Sequence, residues 1–478
     1  MRIALIPNIG LADPNFDSDY YEYSKLIKAA AAFYNDMYFY LVLSDRFKNA
    51  KLDPLPRTKI MFVEETSSFS INQLAASQEL IFNFHYRGGH IHTDGMVTSR
   101  ANVALFFNAA VTDPQRRYAY PTVFRQPCLE DESQLDESGI VYDMMQSMVF
   151  AACNPIVKGQ QAYERSRLMA GRYLSPTCVE WFDQSVFVTT SGLELDYFDM
   201  LLKKNEKHEK FTLFSGTRIN TTKRVEKVFQ LYDKFYSSGR NVQVVVTAPN
   251  PEGSVFGKKF VSEYLQGAIK WFYTSCPRDK YFEEASKAHV FLVASIGENI
   301  SNFLVEQLYL GLIGIVPDMP YVWEMLPRDY PFCYRSFDEA YTILMWIQEH
   351  YDEARAKVEP YRQMIREKYA ESLVFKQEVD HIRKVVMTSH EAALARPSST
   401  LLDEVVKQAL LEFDVDFKLD TFISVANKQM SRKIMYTTPD KIFGKAMTPI
   451  DIRLGLERLG YRDNCKTDEP IYSIYKEV

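Results

Sequence analysis

Nothing in the 478 residues reaches ~18 consecutive apolar positions, the length a membrane-spanning helix needs. The most apolar stretch, 303–316, is broken by Glu306 and Gln307, so no membrane span is expected. The start of the chain lacks a charged leader, an apolar segment and a cleavage site, so a cytoplasmic protein is expected. The six cysteines stand singly at 128, 153, 178, 276, 333 and 465. Without a CxxC pair or a Cys/His cluster they read as reduced, mostly buried thiols, not a disulfide frame or zinc site. An excess of basic charge is also absent: 56 Lys and Arg face 62 Asp and Glu, a net charge of -6. That excludes a globally basic nucleic-acid binder and leaves local patches open. With 46% hydrophobic and 25% charged residues the chain is neither disordered nor fibrous. The aromatic share, 14%, is high and belongs to no single motif.

A chain of this length holds two or three domains of ~100–200 residues. Short apolar runs at 2–7, 38–43, 60–63, 80–84 and 103–107, with helical spacing over 20–35, have the rhythm of βαβ units around a parallel sheet. Another strand is expected at 185–189. A polar run over 203–210 interrupts the pattern, which restarts with strands at 211–214, 242–247, 268–273, 290–294 and 313–317. Helices are expected between them at 224–238, 281–288 and 302–311, and a helical stretch over 337–386 closes the second domain and crosses back toward the first. The expected fold class is therefore α/β, with two doubly wound, Rossmann-like domains at 1–195 and 196–390. Residues 391–478 form a third, helical unit with helices at 401–413, 419–430 and 448–459 and a strand at 471–475. Thr448 followed by Pro449 is a helix-start signal, and Gly460 a stop.

Ligands of doubly wound sheets sit beyond the carboxyl ends of the strands. Two loops there carry suitable chemistry. Ser215-Gly216-Thr217-Arg218 follows a strand, and Lys223 comes shortly after: small residues let backbone N–H groups approach a phosphate while Arg218 and Lys223 neutralise it. In the other, Glu298 and Glu306 are separated by seven residues, which puts one carboxylate in the strand-end loop and the second about two turns into a helix. Carboxylates accept hydrogen bonds from sugar hydroxyls. Taken singly, the first loop also fits a plain turn, and Glu298 also fits a helix cap with Glu306 solvated.

Together, Arg218-x4-Lys223, Glu298-x7-Glu306 and the strand GLIGIVP at 311–317 resemble the retaining GT-B glycosyltransferases of the glycogen-synthase-like type, family 4. The stretch from Val188-Thr-Thr-Ser-Gly192 to Phe198 resembles that family's interdomain segment. The resemblance implies a GT-B fold and a nucleotide-diphosphate sugar, a UDP-sugar, as donor, with no prosthetic group and no metal. It further implies that Arg218 and Lys223 bind the diphosphate, Glu298 the sugar and Glu306 the ribose, with Gly216, Asn299, Ile300 and Ser301 lining the donor. Where the family has E-G-F-G this chain has Glu298-Asn299-Ile300-Ser301, which leaves the sugar open. The glycine-rich turn after the first strand is replaced by Asn8-Ile9-Gly10 and Asp13-Pro14-Asn15. In the first domain, His85 is the candidate active-site histidine, within a segment that also holds His90, His92 and Asp94.

The acceptor is read from charge. Residues 428–462 hold Lys428, Arg432, Lys433, Lys441, Lys445, Arg453, Arg458 and Arg462 against Asp440, Asp451 and Glu457. This run resembles the recognition helix and wing of a winged-helix module, whose cations would meet DNA phosphates. Residues 84–128 add five Arg and three His against two Asp. A soluble enzyme of this kind is expected to glycosylate a hydroxymethylated pyrimidine in double-stranded DNA, as phage enzymes of this fold do, in a host cytoplasm. The alternatives are transfer to a small molecule, glycan, protein or lipid precursor, with the tail serving assembly, and a non-catalytic glycosyltransferase-like scaffold.

Overall fold

The computed structural model describes residues 2–6, 14, 18–63, 80–83, 122–126, 147, 150, 154–217, 223–247, 269–273, 276–296, 298, 300–394, 406–412, 416–418, 456, 459, 461–463 and 471–474. Two parallel sheets organise it. The first contains β1 (Arg2–Ile6), β2 (Tyr38–Ser44), β3 (Thr58–Val63), β4 (Leu80–Asn83), β5 (Thr122–Gln126), β6 (Asn154–Lys158) and β7 (Phe187–Thr189), in the order β3-β2-β1-β4-β5-β6-β7. Every pairing in it is parallel. Helices α1 (Ser18–Phe33), α2 (Gln160–Tyr173) and α3 (Pro176–Ser185) connect its strands.

After α4 (Leu195–Lys204) the second sheet begins, with β8 (Phe211–Ser215), β9 (Val242–Thr247), β10 (Ile269–Tyr273), β11 (Val290–Leu292), β12 (Ile313–Pro317) and β13 (Cys333–Tyr334). Its order is β10-β9-β8-β11-β12-β13, again parallel throughout. The order reverses direction between β8 and β11, which makes that gap the topological switch point of the sheet. All six residues of β9 are buried, as a strand covered on both faces requires. Helices α5 (Val225–Ser237), α6 (Arg278–Lys287), α7 (Asn302–Tyr309), α8 (Pro320–Met325), α9 (Phe337–Glu349) and α10 (Tyr351–Tyr369) complete this half.

The last long helix, α11 (Glu371–Leu394), leaves the second domain and packs on α1. Its Phe375, Val379, Ile382 and Val386 recur at three- and four-residue spacing, the stripe of an amphipathic helix. They are buried with Ile3, Leu5, Tyr23 and Ile27 in the first core. The chain therefore passes between the domains twice, at 190–194 and at 369–371. The two passages lie side by side. Leu193 bridges Ala370, its N–H donates to the Tyr369 carbonyl at 2.8 Å, and its carbonyl accepts from the Glu371 N–H at 3.0 Å.

Most of the expected strands recur within a residue or two. Three boundaries move: Ser185 ends α3 instead of opening a strand, Arg224 precedes α5, and α6 begins at Arg278. Strands β5 and β6 and helices α2 and α3 were not expected. The strand read at 103–107 lies outside the described residues. At the C-terminal end, residues 406–410 are helical, and β14 (Asp416–Lys418), β15 (Tyr461–Asp463) and β16 (Ile471–Ile474) form an antiparallel sheet in the order β14-β16-β15. That unit is thus not purely helical with one terminal strand. Of the described cysteines, Cys178 is buried whereas Cys276 and Cys333 are partly exposed.

Candidate active site

Both chemistry-bearing loops of the second domain open at its switch point, one after β8 and one after β11. Gly216 follows β8, and the backbone there is closely covered. A Cβ on Gly216 would stand 2.6 Å from Phe214 Cε1 and 2.7 Å from Tyr281 Cε2, so only glycine fits. Lys223 lies where this loop enters α5. It forms an ion pair with Glu298, which sits past the end of β11. The pair is largely screened from solvent, with side-chain exposures of 24% and 13%. Arg224, next to Lys223, has φ of 47° and precedes α5 in a left-handed conformation. For a non-glycine residue that conformation costs ~1–2 kcal/mol, a strain of the kind that gathers at functional loops.

Glu298 does not cap α7. Ser301 does, its Oγ accepting from the Leu304 N–H at 3.3 Å. The plain-cap reading of Glu298 is thereby excluded, and its carboxylate is left to Lys223. Glu306 lies on α7 and is only partly exposed. Burial pushes its carboxyl up to about 7, opposed by the positive charges of Arg278 and Lys25 and reinforced by Glu22 and Glu194. Beside it Gln307 is fully buried and donates to the Tyr281 hydroxyl at 3.1 Å. Tyr281 thus touches both the Gly216 turn and the neighbour of Glu306.

Across the interface, charged groups meet that no spacing in the sequence connects. Arg278 Nη2 lies 2.9 Å from Glu194 Oε2 and its guanidinium covers the Tyr21 ring of α1 at 4.2 Å. Lys25 of α1 is 5% exposed and pairs with Glu371 at 3.3 Å. Burial raises the Glu194 carboxyl, but Lys25 and Arg278 outweigh it and hold the group below the ordinary carboxylate range. Farther along the interface, Glu324 of α8 accepts from the N–H groups of Gln160 and, at 3.1 Å, Gln161. A carboxylate of the second domain thereby satisfies the exposed start of a first-domain helix.

The structure brings Gly216, Lys223, Glu298, Ile300, Ser301 and Glu306 to one end of the second sheet. Arg218, Asn299 and His85 lie outside the described residues, as do Lys428, Arg432, Lys433, Lys441, Lys445, Arg453 and Arg458. Arg462 lies in β15. Among the described residues no group of three or more His, Cys, Asp or Glu is placed to hold a metal, and no helix is long and apolar enough to cross a membrane. Tyr21, Lys25, Glu194 and Arg278 were not singled out from sequence. The one available signal was Pro277 followed by an Arg at a helix start.

Two facing parallel sheets, a switch-point site in the second and a final helix returned to the first define the GT-B fold, the architecture of many glycosyltransferases. No family model and no curated protein matches the sequence. Solved structures do match in fold. Sucrose-phosphate synthase from Thermosynechococcus elongatus superposes with a TM-score of 0.61 at 13% identity, over 81% of this chain and 100% of that one. Anabaena HepE, solved in complex with UDP and glucose, gives 0.56 at 10% identity, over 80% and 100%. The α,α-trehalose 6-phosphate synthase of Burkholderia multivorans gives 0.54 at 9% identity, over 81% and 99%. About a fifth of this chain lies beyond what each of these proteins matches.

Proposed function

We propose that the protein is a retaining, metal-independent glycosyltransferase that moves a sugar from a UDP-sugar to the hydroxymethyl group of a pyrimidine base in duplex DNA. The observation that carries the transferase reading is the Lys223–Glu298 pair, which joins the two strand-end loops at the switch point, with Glu306 on the adjoining helix. HepE, of the same fold, has been solved with UDP-glucose, which supports a UDP-sugar donor.

In this reading Arg218 and Lys223 carry the charge of the departing diphosphate. Glu298 holds sugar hydroxyls, Glu306 holds the ribose, and Ser301 keeps the start of α7 open toward the donor with Asn299 and Ile300. The bond from the anomeric carbon to the phosphate oxygen breaks as the acceptor oxygen bonds to the same face. The leaving phosphate takes the acceptor's proton, so no protein nucleophile is needed. Arg218 and Lys223 supply leaving-group stabilisation in place of a metal, a contribution of ~3–4 kcal/mol per contact. His85 is assigned to the acceptor side.

The acceptor rests on the cationic runs at 84–128 and 428–462. It is further supported by the strand order β14-β16-β15, since β14 precedes the helical pattern of 419–430 and β15 directly follows that of 448–459. That alternation is the one a winged-helix module requires. The target base would be flipped out to reach the donor. The test is UDP release from UDP-glucose with hydroxymethylated duplex, plain duplex and sugar phosphates as acceptors. Release stimulated by the hydroxymethylated duplex alone is expected, and by a chain ending at residue 396 much less. Turnover on sugar phosphates with no response to DNA would refute the acceptor, and absence of UDP binding would refute the transferase.

A further inference from the structure

The ladder between β11 and β12 stops short of the Glu298 loop. Val290, Phe291 and Leu292 are in register with Ile313, Gly314 and Ile315. The Ile313 N–H donates to the His289 carbonyl at 2.9 Å, and the Val293 N–H to the Ile315 carbonyl at 2.9 Å. A parallel ladder repeats every two residues, so the Val293 carbonyl falls to the N–H of residue 317. That residue is Pro317, which has none to give. The N–H two residues on, that of Met319, is turned onto the Pro317 carbonyl at 2.8 Å. Two phenols serve instead. Tyr334 donates to the Val293 carbonyl at 2.8 Å, and Tyr321 of α8 donates to the Ser295 carbonyl at 2.9 Å. Both tyrosines are buried.

We propose that Tyr321 is a positioning residue for the sugar end of the donor site: its hydroxyl stands in for the ladder that Pro317 ends, and so fixes the strand end from which Glu298 reaches Lys223. The inference rests on the donor-site reading above. Ser295 lies three residues before Glu298, and the Lys223–Glu298 pair joins loops that follow different strands. A shift of the backbone at Ser295 would therefore draw the pair apart. Without the phenol that shift is favoured, because a buried carbonyl left without a donor is costly and is relieved by moving toward water. Helix α8 is itself held from several sides, which makes Tyr321 a fixed point. Val322 and Met325 are buried, Trp323 Nε1 donates to Asp318 at 2.7 Å, and Glu324 accepts from the start of α2. Tyr321 acts through the backbone and need not touch the sugar.

The test compares Tyr321→Phe with Tyr330→Phe on the full chain. Each change removes one hydroxyl and keeps a buried ring. Tyr330 donates to the Gly314 carbonyl at 2.8 Å, a bond of the same kind that lies level with Phe291 and does not reach the loop. UDP release from UDP-glucose, with water or the hydroxymethylated duplex as acceptor, should fall about 10–100-fold in Tyr321→Phe, the loss that follows a displacement of ~1 Å at a substrate contact. In Tyr330→Phe it should stay within about twofold of the parent's, as for a group that acts only on stability. UDP affinity by titration calorimetry should stay within about twofold in both, because UDP carries no sugar for Glu298 to hold. Hydrogen exchange over 293–301, read by mass spectrometry, should quicken in Tyr321→Phe and not in Tyr330→Phe. Exchange that matches the parent's, or an equal loss of turnover in the two variants, would overturn the inference. So would a loss of UDP affinity as large as the loss of turnover. A parent that binds no UDP while Tyr321→Phe quickens exchange would instead remove the donor reading, and the positioning role would fall with it.

Discussion

Replacing Gly216 with Ala tests how tightly the donor turn is built into the core. The new methyl would lie 2.6 Å from Phe214 Cε1 and 2.7 Å from Tyr281 Cε2. Carbon atoms rest at about 3.5–4.0 Å, so one or both rings must retreat by roughly 1 Å. Neither has room. Phe214 is fully buried, its ring 5.6 Å from Tyr281 and 6.3 Å from Phe303. Tyr281 is also packed edge-on against Phe282 at 4.9 Å and accepts a hydrogen bond from Gln307. Overpacking of this kind costs ~1–3 kcal/mol. For a cooperative unit of about 150–250 residues, each kcal/mol lowers Tm by roughly 2–4 °C, so a drop of about 2–12 °C is expected. Because Tyr281 leads through Gln307 to Glu306, UDP affinity should weaken as well, by about 3–10-fold. Scanning calorimetry and UDP titration would measure the two effects. Gly171→Ala is the control, since a Cβ there meets nothing within 4 Å in the last turn of α2, and it should stabilise slightly. A Gly216→Ala protein as stable as the parent would refute the close-packing argument.

Two further outcomes concern buried ionisable groups away from the site. Lys207 donates to the Ala288 carbonyl at 2.6 Å, and burial, with Arg355 and Arg362, pushes its ammonium down from 10.5 to about 7. The folded state is penalised in full below pH 7, and the penalty fades as the pH rises toward 10.5. Lys207→Met should therefore raise the urea midpoint more at pH 6 than at pH 10, and equal gains would contradict the assignment. His381 is stacked on Phe187 at 4.8 Å, and burial, with Lys384, lowers it from 6.5 to about 4. The unfolded chain protonates this group first, so stability is lost as the pH falls from 6.5 to 4. His381→Phe should make that fall shallower by up to ~1.4 kcal/mol per pH unit, and parallel urea-unfolding curves would refute it.

Much of the fold was legible because a strand buried on both faces is a short apolar run, and β9 and β12 were read to the residue for that reason. The missed elements break local rules. β6 contains Pro155 although it pairs on both sides, so the usual inference from proline to an edge strand fails there. Helix α2 carries little apolar stripe, because most of its face is polar. Helix α3 was readable in principle: Ser175 caps it with Pro176 at its first position. In the site, Gly216, Lys223, Glu298 and Glu306 share a domain and follow strands, so their spacing carried information. Tyr21, Lys25, Glu194 and Arg278 come together only through the docking of the two halves, which local pattern does not encode. The C-terminal sheet was half visible, since β16 alternates over four residues whereas β14 and β15 are only three residues long.

The return of α11 to the first core sets an order on biosynthesis. β7 ends at Thr189, yet the surface that α1 and β1 present is not covered until Phe375, Val379 and Ile382 have been made. At ~5–20 residues per second that interval is on the order of 10–40 s, during which a nascent first half stands with an apolar face open to solvent. The second half is completed inside that gap and can fold without waiting. The expected sequence on the ribosome is thus inverted: the later-made domain matures first and its final helix then closes the earlier one. A fragment that stops near residue 195 would lack its own lid and would aggregate.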